Sequence, residues 1–490
     1  MDESSWWNTD FRYRLPVRLF DDIGARRVDE PVRLDLVFDI ARPHPNGLRL
    51  TDGDGQVIPF QVVRQGMGTD GRLDYASLYF LATVVPGDTS RRYNLYLSES
   101  DHGSVSFEGI TLLDPKLADG FRRLDTGHYI LELCRGAAKG HGGSKWGIRH
   151  FEAKAQGINL IAGNMNAFGG VYGPFFTPEN GLVNPPAHAI AEIEPIAEGP
   201  IMCQYRMKVN VPDGLRPELR GKTIEIWWSF YWRSPWFVRS YFVDDYETTI
   251  DGRPCRNRIT VGDEVESGKN NLLLSTYRHH DGTRYRAGDL YAEILLARLK
   301  DLQTRNPEVV SVAMAKLGID PKEDPASWHW DNYWRMFCVL EEALPRDVLE
   351  SEVERIWRSA NEIVWSDKEH NLMKYTDDAV DVNREPQQTI FPLNAQKTCE
   401  YSPLTGYAFV RYVNRPVPRM QIVQRFDSGW VNWGTNGENE YPELPSGSTI
   451  WSAYGRFDNW EAETDRMETP LAVSVGALET SGPDAPACLR

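Results

Sequence analysis

The chain has 490 residues, too many for one ordinary core, and its 41% hydrophobic and 25% charged content is that of a globular protein in water. A net charge of −16 excludes a general nucleic-acid binder, which needs a broad basic face. No apolar run reaches about 18 residues, so no membrane-spanning helix is predicted.

In chain order, "FRYRLPVRLF", "PVRLDLVFDI", "LRLTDGDGQVIPFQVV", "YASLYFLATV" and "RRYNLYLSES" alternate apolar and polar residues between turn signals. They predict a small antiparallel β-sandwich over residues 1–102. Longer strand-like runs follow, among them "HYILELCR", "KTIEIWWSFYW" and "WFVRSYFVDD". The period then becomes helical in "DLYAEILLARLKDLQTRNPEVVSVAMAKLG" and in "PRDVLESEVERIWRSANEIVW". From 395 the strand pattern returns, ending with "STIWSAYGRFD" and "PLAVSVGAL". The predicted fold is mainly β: the small N-terminal sandwich, then a large antiparallel supersandwich over 103–480 with a helical insertion at 289–375. The last dozen residues read as a loose tail.

The N-terminal "MDESSWWNTDFRYRLPV" lacks the basic and apolar regions of a secretory signal. Cys134, Cys203, Cys255, Cys338, Cys399 and Cys488 are scattered, with no CxxC. Both features predict reduced thiols and a cytoplasmic location. No P-loop, dinucleotide fingerprint, zinc spacing, EF-hand or GxSxG occurs, so neither a metal nor a cofactor is expected.

With 16 Trp, 21 Tyr and 19 Phe, the chain has more aromatic surface than a core requires. Two readings are open: platforms for the flat faces of sugar rings, or a β-protein packed with large residues.

The order of "YRLPVRL", "GLRLTDGDGQVIPFQV" and "YFLATVVPGDTSRRYNLYL" resembles a small β-module of carbohydrate-active enzymes, found beside the large sandwiches of certain α-mannosidases and polysaccharide lyases. It covers about a fifth of the chain. The remainder resembles the galactose-mutarotase type of supersandwich, and the family named by the combination is the exo-acting rhamnogalacturonan lyases. No catalytic motif matches residue by residue, so the resemblance transfers no catalytic residue. It implies a carbohydrate-active enzyme, and the absence of an export signal adds the expectation of an imported oligosaccharide as substrate.

The candidate chemistry begins in "GHGGSKWGIRHFEAK". Between Arg135 and Lys154, the cations Lys139, Lys145 and Arg149 join His141 and His150 against a single acid, Glu152. Such a stretch reads either as a solvated loop or as a rim that binds an anion. In the second case Arg149 grips a carboxylate with two donors, Lys145 adds a point charge, and Trp146 stacks on a ring. Tyr172, between glycines in "FGGVYGPFF", reads as an acid or base, or as part of an aromatic plug. The run "TYRHHDGTRYR" holds His280 and Arg284, at a hairpin tip that reaches the site. "SWHWDNYWRMF" puts Trp330 and Trp334 on one helical face, for packing or as a sugar platform.

Together these predict a lyase cleaving a uronate-containing, anionic oligosaccharide by β-elimination. Arg149 and Lys145 would neutralise the carboxylate, His150 or His141 would take the α-proton, and Tyr172 would protonate the leaving oxygen. The alternatives are a glycoside hydrolase or sugar epimerase, using acids such as Asp245 and Glu247, and a non-catalytic sugar-binding protein. Nucleic-acid and membrane partners are not expected.

Overall fold

A computed structural model describes residues 6–85, 90–114, 121–136, 146–161, 168–173, 190–211, 217–250, 253–266, 276–280, 303–305, 307–316, 318–320, 388–390, 396–402, 405–417, 420–425, 430–435 and 442–481. The described residues are mainly β, in two sandwiches of antiparallel strands.

In the small sandwich, one sheet runs in the order Ala472–Val475, Tyr13–Phe20, Ser90–Leu97, Leu48–Asp52. The other runs Arg27–Val37, Leu73–Val84, Phe60–Met67. Alternation sends Val17, Leu19, Leu34, Leu78, Phe80 and Leu95 into a shared core. The edge strand comes from the far end of the sequence. Val17 pairs with Val475 and Phe20 with Ala472, while Glu479–Thr480 pairs with Arg14 and Tyr13. Leu471 is buried in the same core. The segment "PLAVSVGAL", assigned by sequence to the large sandwich, thus completes the small one. The turn "TDGDGQ" is closed by Asp52, whose carboxylate accepts from Asp54 N and Gln56 N at 3.0 and 2.8 Å.

The large sandwich faces an eleven-stranded sheet against an eight-stranded one. The first contains Arg122–Asp125, Tyr129–Arg135, Trp146–Ala153, Phe168–Gly173, Arg258–Glu266 and Trp430–Gly434 in neighbouring order. The second runs Glu192–Glu198, Met202–Asn210, Thr223–Tyr231, Trp236–Val243, Ser448–Gly455, Ala408–Val413, Lys397–Tyr401, Thr276–His280. Between them lie Leu131, Ile148, Phe151, Phe168, Ile226, Trp228, Phe237 and Phe409. Much of the chain's aromatic surface is therefore core packing, such as Phe151 stacked on Phe168 at 5.5 Å.

Of the helical insertion expected at 289–375, the described part includes helix α1 (Pro307–Lys316), which opens on proline with Glu308 in its first turn. It falls between Thr276–His280 and the strand Gln388–Ile390; most of that span lies outside the described residues. Helix α2 (Trp460–Glu468) starts where Asn459 accepts from Glu461 N and Ala462 N at 2.9 and 3.3 Å. Its Met467 packs on Trp236, Cys399, Val410 and Tyr412, covering part of the outer face of the eight-stranded sheet. The chain then passes directly into the last strands of the small sandwich.

Cys134, Cys203, Cys255 and Cys399 are buried thiols, and burial pushes the Cys203 thiol up to about 11. Cys338 and Cys488 lie outside the described residues. No described helix is long and apolar enough to cross a membrane.

Candidate functional site

The cationic stretch of the sequence becomes the strand Trp146–Ala153. Trp146 is 2% exposed and part of the large core, so its indole offers no open face for stacking. Gly147 has φ of 108°, and a Cβ there would lie 2.3 Å from Phe168 O. This glycine permits the close approach of a neighbouring strand rather than of a ligand. The register slips between Ile148 and His150, and Arg149 occupies the bulge. Its guanidinium pairs with Glu132. His150 Nε2 lies 3.3 Å from Glu152 Oε2. Burial, and then Arg123, hold His150 below the usual imidazole range. Lys154 is tied to Asp125 at 2.7 Å. The described part of the stretch is therefore a charge-matched strip.

His141 and Lys145 lie outside the described residues, as do Arg284, Trp330 and Trp334. Tyr172 falls within the strand Phe168–Gly173, and His280 pairs in register with Lys397; the side chains of both lie outside the described residues. Of the predicted constellation, Trp146, Arg149 and His150 are the members whose side chains are described.

Arg239 and Tyr241 share a face, as the alternation of "WFVRSYFV" requires, but that face is the core. Arg239 donates to both oxygens of Asp263, at 2.5 and 2.6 Å. Arg411 Nε donates to Asp263 at 2.7 Å and its Nη1 to Glu400 at 3.1 Å. All four residues are fully buried. Burial alone would raise Asp263, but Arg239 and Arg411 outweigh it and hold its carboxyl below the ordinary range. Glu400 has the weaker compensation, and burial pushes it up to about 7 against the pull of Arg411. With no exposure, this cluster ties the two sheets together and does not meet a ligand.

The outer face of the eight-stranded sheet differs. In "TIEIWWSFY", Thr223–Tyr231, Ile224, Ile226, Trp228 and Phe230 turn into the core, and Thr223, Glu225, Trp227 and Ser229 turn outward. The next strand sets Ser240 opposite Trp227 and Phe242 opposite Glu225. On the other side, Arg206 stands opposite Trp227 and Gln204 opposite Ser229. Of these, Gln204, Thr223, Glu225, Trp227, Ser240 and Phe242 line an open groove of about 760 Å³ with Lys222, Asp244 and Asp245.

The groove's groups are held in place. The Arg206 guanidinium lies 5.9 Å from the Trp227 ring centre and pairs with Glu194 at 2.5 Å. Gln204 Nε2 donates to Ser229 Oγ at 3.0 Å, and the Ser240 and Thr449 hydroxyls share a bond of 2.8 Å. Phe242 is 40% exposed. Asp245 has φ of 60°, and its bond to Lys222 holds its carboxyl below the ordinary value. Glu225, Asp244 and Asp245 against Lys222 make the lining acidic. Aromatic faces beside carboxylates, hydroxyls and an amide suit a ring with apolar faces and a hydroxylated rim. Among the described residues no group of three or more His, Cys, Asp or Glu could hold a metal.

Of the residues singled out by sequence, Asp245 reaches this groove, while Glu247 is engaged with Arg256 at 2.9 Å. Sequence reasoning does not select Trp227, Glu225 or Phe242. The available signal is the adjacent pair Trp227 and Trp228: on a strand, one of two neighbours must leave the core.

No family model matches the chain, and no curated protein matches it. Solved structures that align at low similarity include two from one bacterium. One is a protein in glycosyl hydrolase family 38 from Enterococcus faecalis, with TM-score 0.45, 10% identity, and coverage of 95% of this chain and 47% of that one. The other is an alpha-mannosidase from Enterococcus faecalis V583, with TM-score 0.43, 10% identity, and coverage of 95% and 46%. The chain spans about half the length of each.

Proposed function

We propose that the protein is carbohydrate-active and takes a neutral saccharide into the groove on the outer face of the eight-stranded sheet. The observation that carries this reading is Trp227, set outward between Arg206 and Ser240 with Glu225 and Gln204 on the same face. A sugar ring laid on the indole would present its hydroxyls to those acceptors and donors.

Within that reading, the groove supports glycoside hydrolysis better than β-elimination. A uronate would meet Glu225, Asp244 and Asp245, with Lys222 already bound to Asp245. Glu225 faces Phe242, and Asp244 follows two residues later, so the two acids are diagonal neighbours. Sheet geometry puts their backbones roughly 7–8 Å apart. Two acids lining one groove can serve as acid and base on a glycosidic bond, with water between their carboxyls.

The test is incubation with neutral and uronate-containing oligosaccharides, following tryptophan fluorescence and products. Fluorescence change with neutral sugars and new reducing ends without an unsaturated uronate is the expected result. Ultraviolet-absorbing product from the uronate substrates would restore elimination. Binding without turnover would leave a sugar-binding protein.

A further inference from the structure

Four outward residues of the groove form a square on the sheet. Trp227 stands opposite Ser240, and Glu225 stands opposite Phe242. The two aromatic residues therefore occupy one diagonal and the two hydrogen-bonding residues the other. All four line the groove. Phe242 is 40% exposed, although its neighbours Tyr241 and Val243 are fully buried in the core.

Both walls of this square are braced from outside it. Arg206, on the strand Met202–Asn210, pairs in register with Trp227, and its guanidinium lies 5.9 Å from the ring centre. Glu194 pairs in register with Arg206 and holds that guanidinium at 2.5 Å. Arg206 and Phe242 thus stand on opposite sides of Trp227, and the side of the indole towards Phe242 is left to the groove. At the other wall, Asp245 follows the strand of Phe242, and Lys222 precedes the strand of Trp227. Their ion pair ties the two strands together beside Phe242.

We infer that Trp227 and Phe242 are the two walls of a slot that holds one pyranose ring between them, and that the groove therefore selects sugars with two apolar faces, those of gluco and xylo configuration. The inference rests on the groove being the saccharide site. Diagonal neighbours on adjacent strands lie roughly 7–8 Å apart, and side chains rise roughly perpendicular to a sheet. A ring in contact with both walls, at about 3.5–4 Å from each, fills the same gap. In a pyranose chair whose substituents are all equatorial, each face carries only axial C–H, and every hydroxyl points to the rim. Clamped along one diagonal, such a ring turns its rim to Glu225 and Ser240 on the other. A manno or galacto ring has one axial hydroxyl. Pressed against an aromatic wall, that hydroxyl loses water and gains no partner. A single platform would not discriminate in this way, because either ring can lay its remaining apolar face on it.

The experiment is calorimetric titration of the full chain with the β-1,4-linked di- and trisaccharides of glucose, xylose, mannose and galactose. The wild type should bind the glucose and xylose sugars roughly tenfold or more tightly than the other two, the scale of one buried hydroxyl left without a partner. Phe242→Ala removes one wall at an exposed position. It should melt as the wild type does and bind all four series with the affinity that the wild type has for the mannose sugars. Phe242→Tyr keeps the wall and should keep the preference, whereas Trp227→Ala should weaken every series. A wild type that binds the mannose or galactose sugars as tightly as the others, or a preference that survives Phe242→Ala, overturns the slot while leaving the groove. Failure of all four series to bind the wild type overturns the groove and the slot together.

Discussion

At Asp263 one carboxylate serves two guanidiniums, Arg239 and Arg411, and a third partner, Gly169 N at 3.0 Å. Glu400 is the remaining acid of the cluster, and its elevated value has a definite consequence for stability. A carboxyl raised from 4.5 to about 7 on folding binds its proton more tightly in the folded state. Its contribution is complete below the unfolded value and is lost as pH rises through the folded one. Between about pH 5 and pH 8, Glu400→Gln should therefore lose less stability than the wild type. The difference is on the order of 2–3 kcal/mol across the window. Urea unfolding at stepped pH checks this, and subtracting the two proteins cancels the histidines that titrate in the same range. A steeper pH dependence in the variant would refute it. Trp227 and Trp228 give the other contrast at this scale. Trp228→Ala should cost about 3–5 kcal/mol of stability, whereas Trp227→Ala should leave the melting temperature nearly unchanged and remove the saccharide-induced fluorescence change. Thermal unfolding with and without sugar distinguishes them. The sequence shows that two adjacent tryptophans on a strand take opposite faces. It does not show which faces the core, because that depends on the sheet packed opposite.

At the scale of elements, alternation was enough to find strands, and it was not enough to find their partners. "FRYRLPVRLF" and "PLAVSVGAL" both read as strands, yet nothing in either encodes their pairing across the whole sequence. Period two specifies faces, while partners follow from the three-dimensional closure of the sandwich. The partners of the cationic stretch were hidden for a related reason. Composition gathers Arg149, His150 and Lys154, but the neighbouring strands supply Glu132 and Asp125, which are distant enough in sequence to be counted elsewhere. Removing residues 470–490 tests the pairing. The loss of Leu471 alone should cost about 1.5–3 kcal/mol, and Tyr13–Phe20 would become an open edge. Limited proteolysis should then cut within residues 13–97 while the large sandwich persists. Unchanged protection of that segment would show that the last strands contribute little.

For the molecule as a whole, the mainly β architecture was legible because its strands are long and their alternation strong. The groove was not, since it is assembled from three strands whose outward residues are individually ordinary. Only the register places Gln204, Trp227 and Ser240 side by side. The pairing of Val17 with Val475 also orders events in time. A ribosome delivers the chain from one end, and at 5–20 residues per second the strand Tyr13–Phe20 waits roughly 20–90 s for its neighbour. Throughout that interval the nascent protein displays an unfinished sheet edge. The large sandwich can meanwhile fold, and α2 then delivers the missing strand to it. The small sandwich therefore closes only once this distant strand has been made, and a chaperone that shields β-edges would have most to do before it.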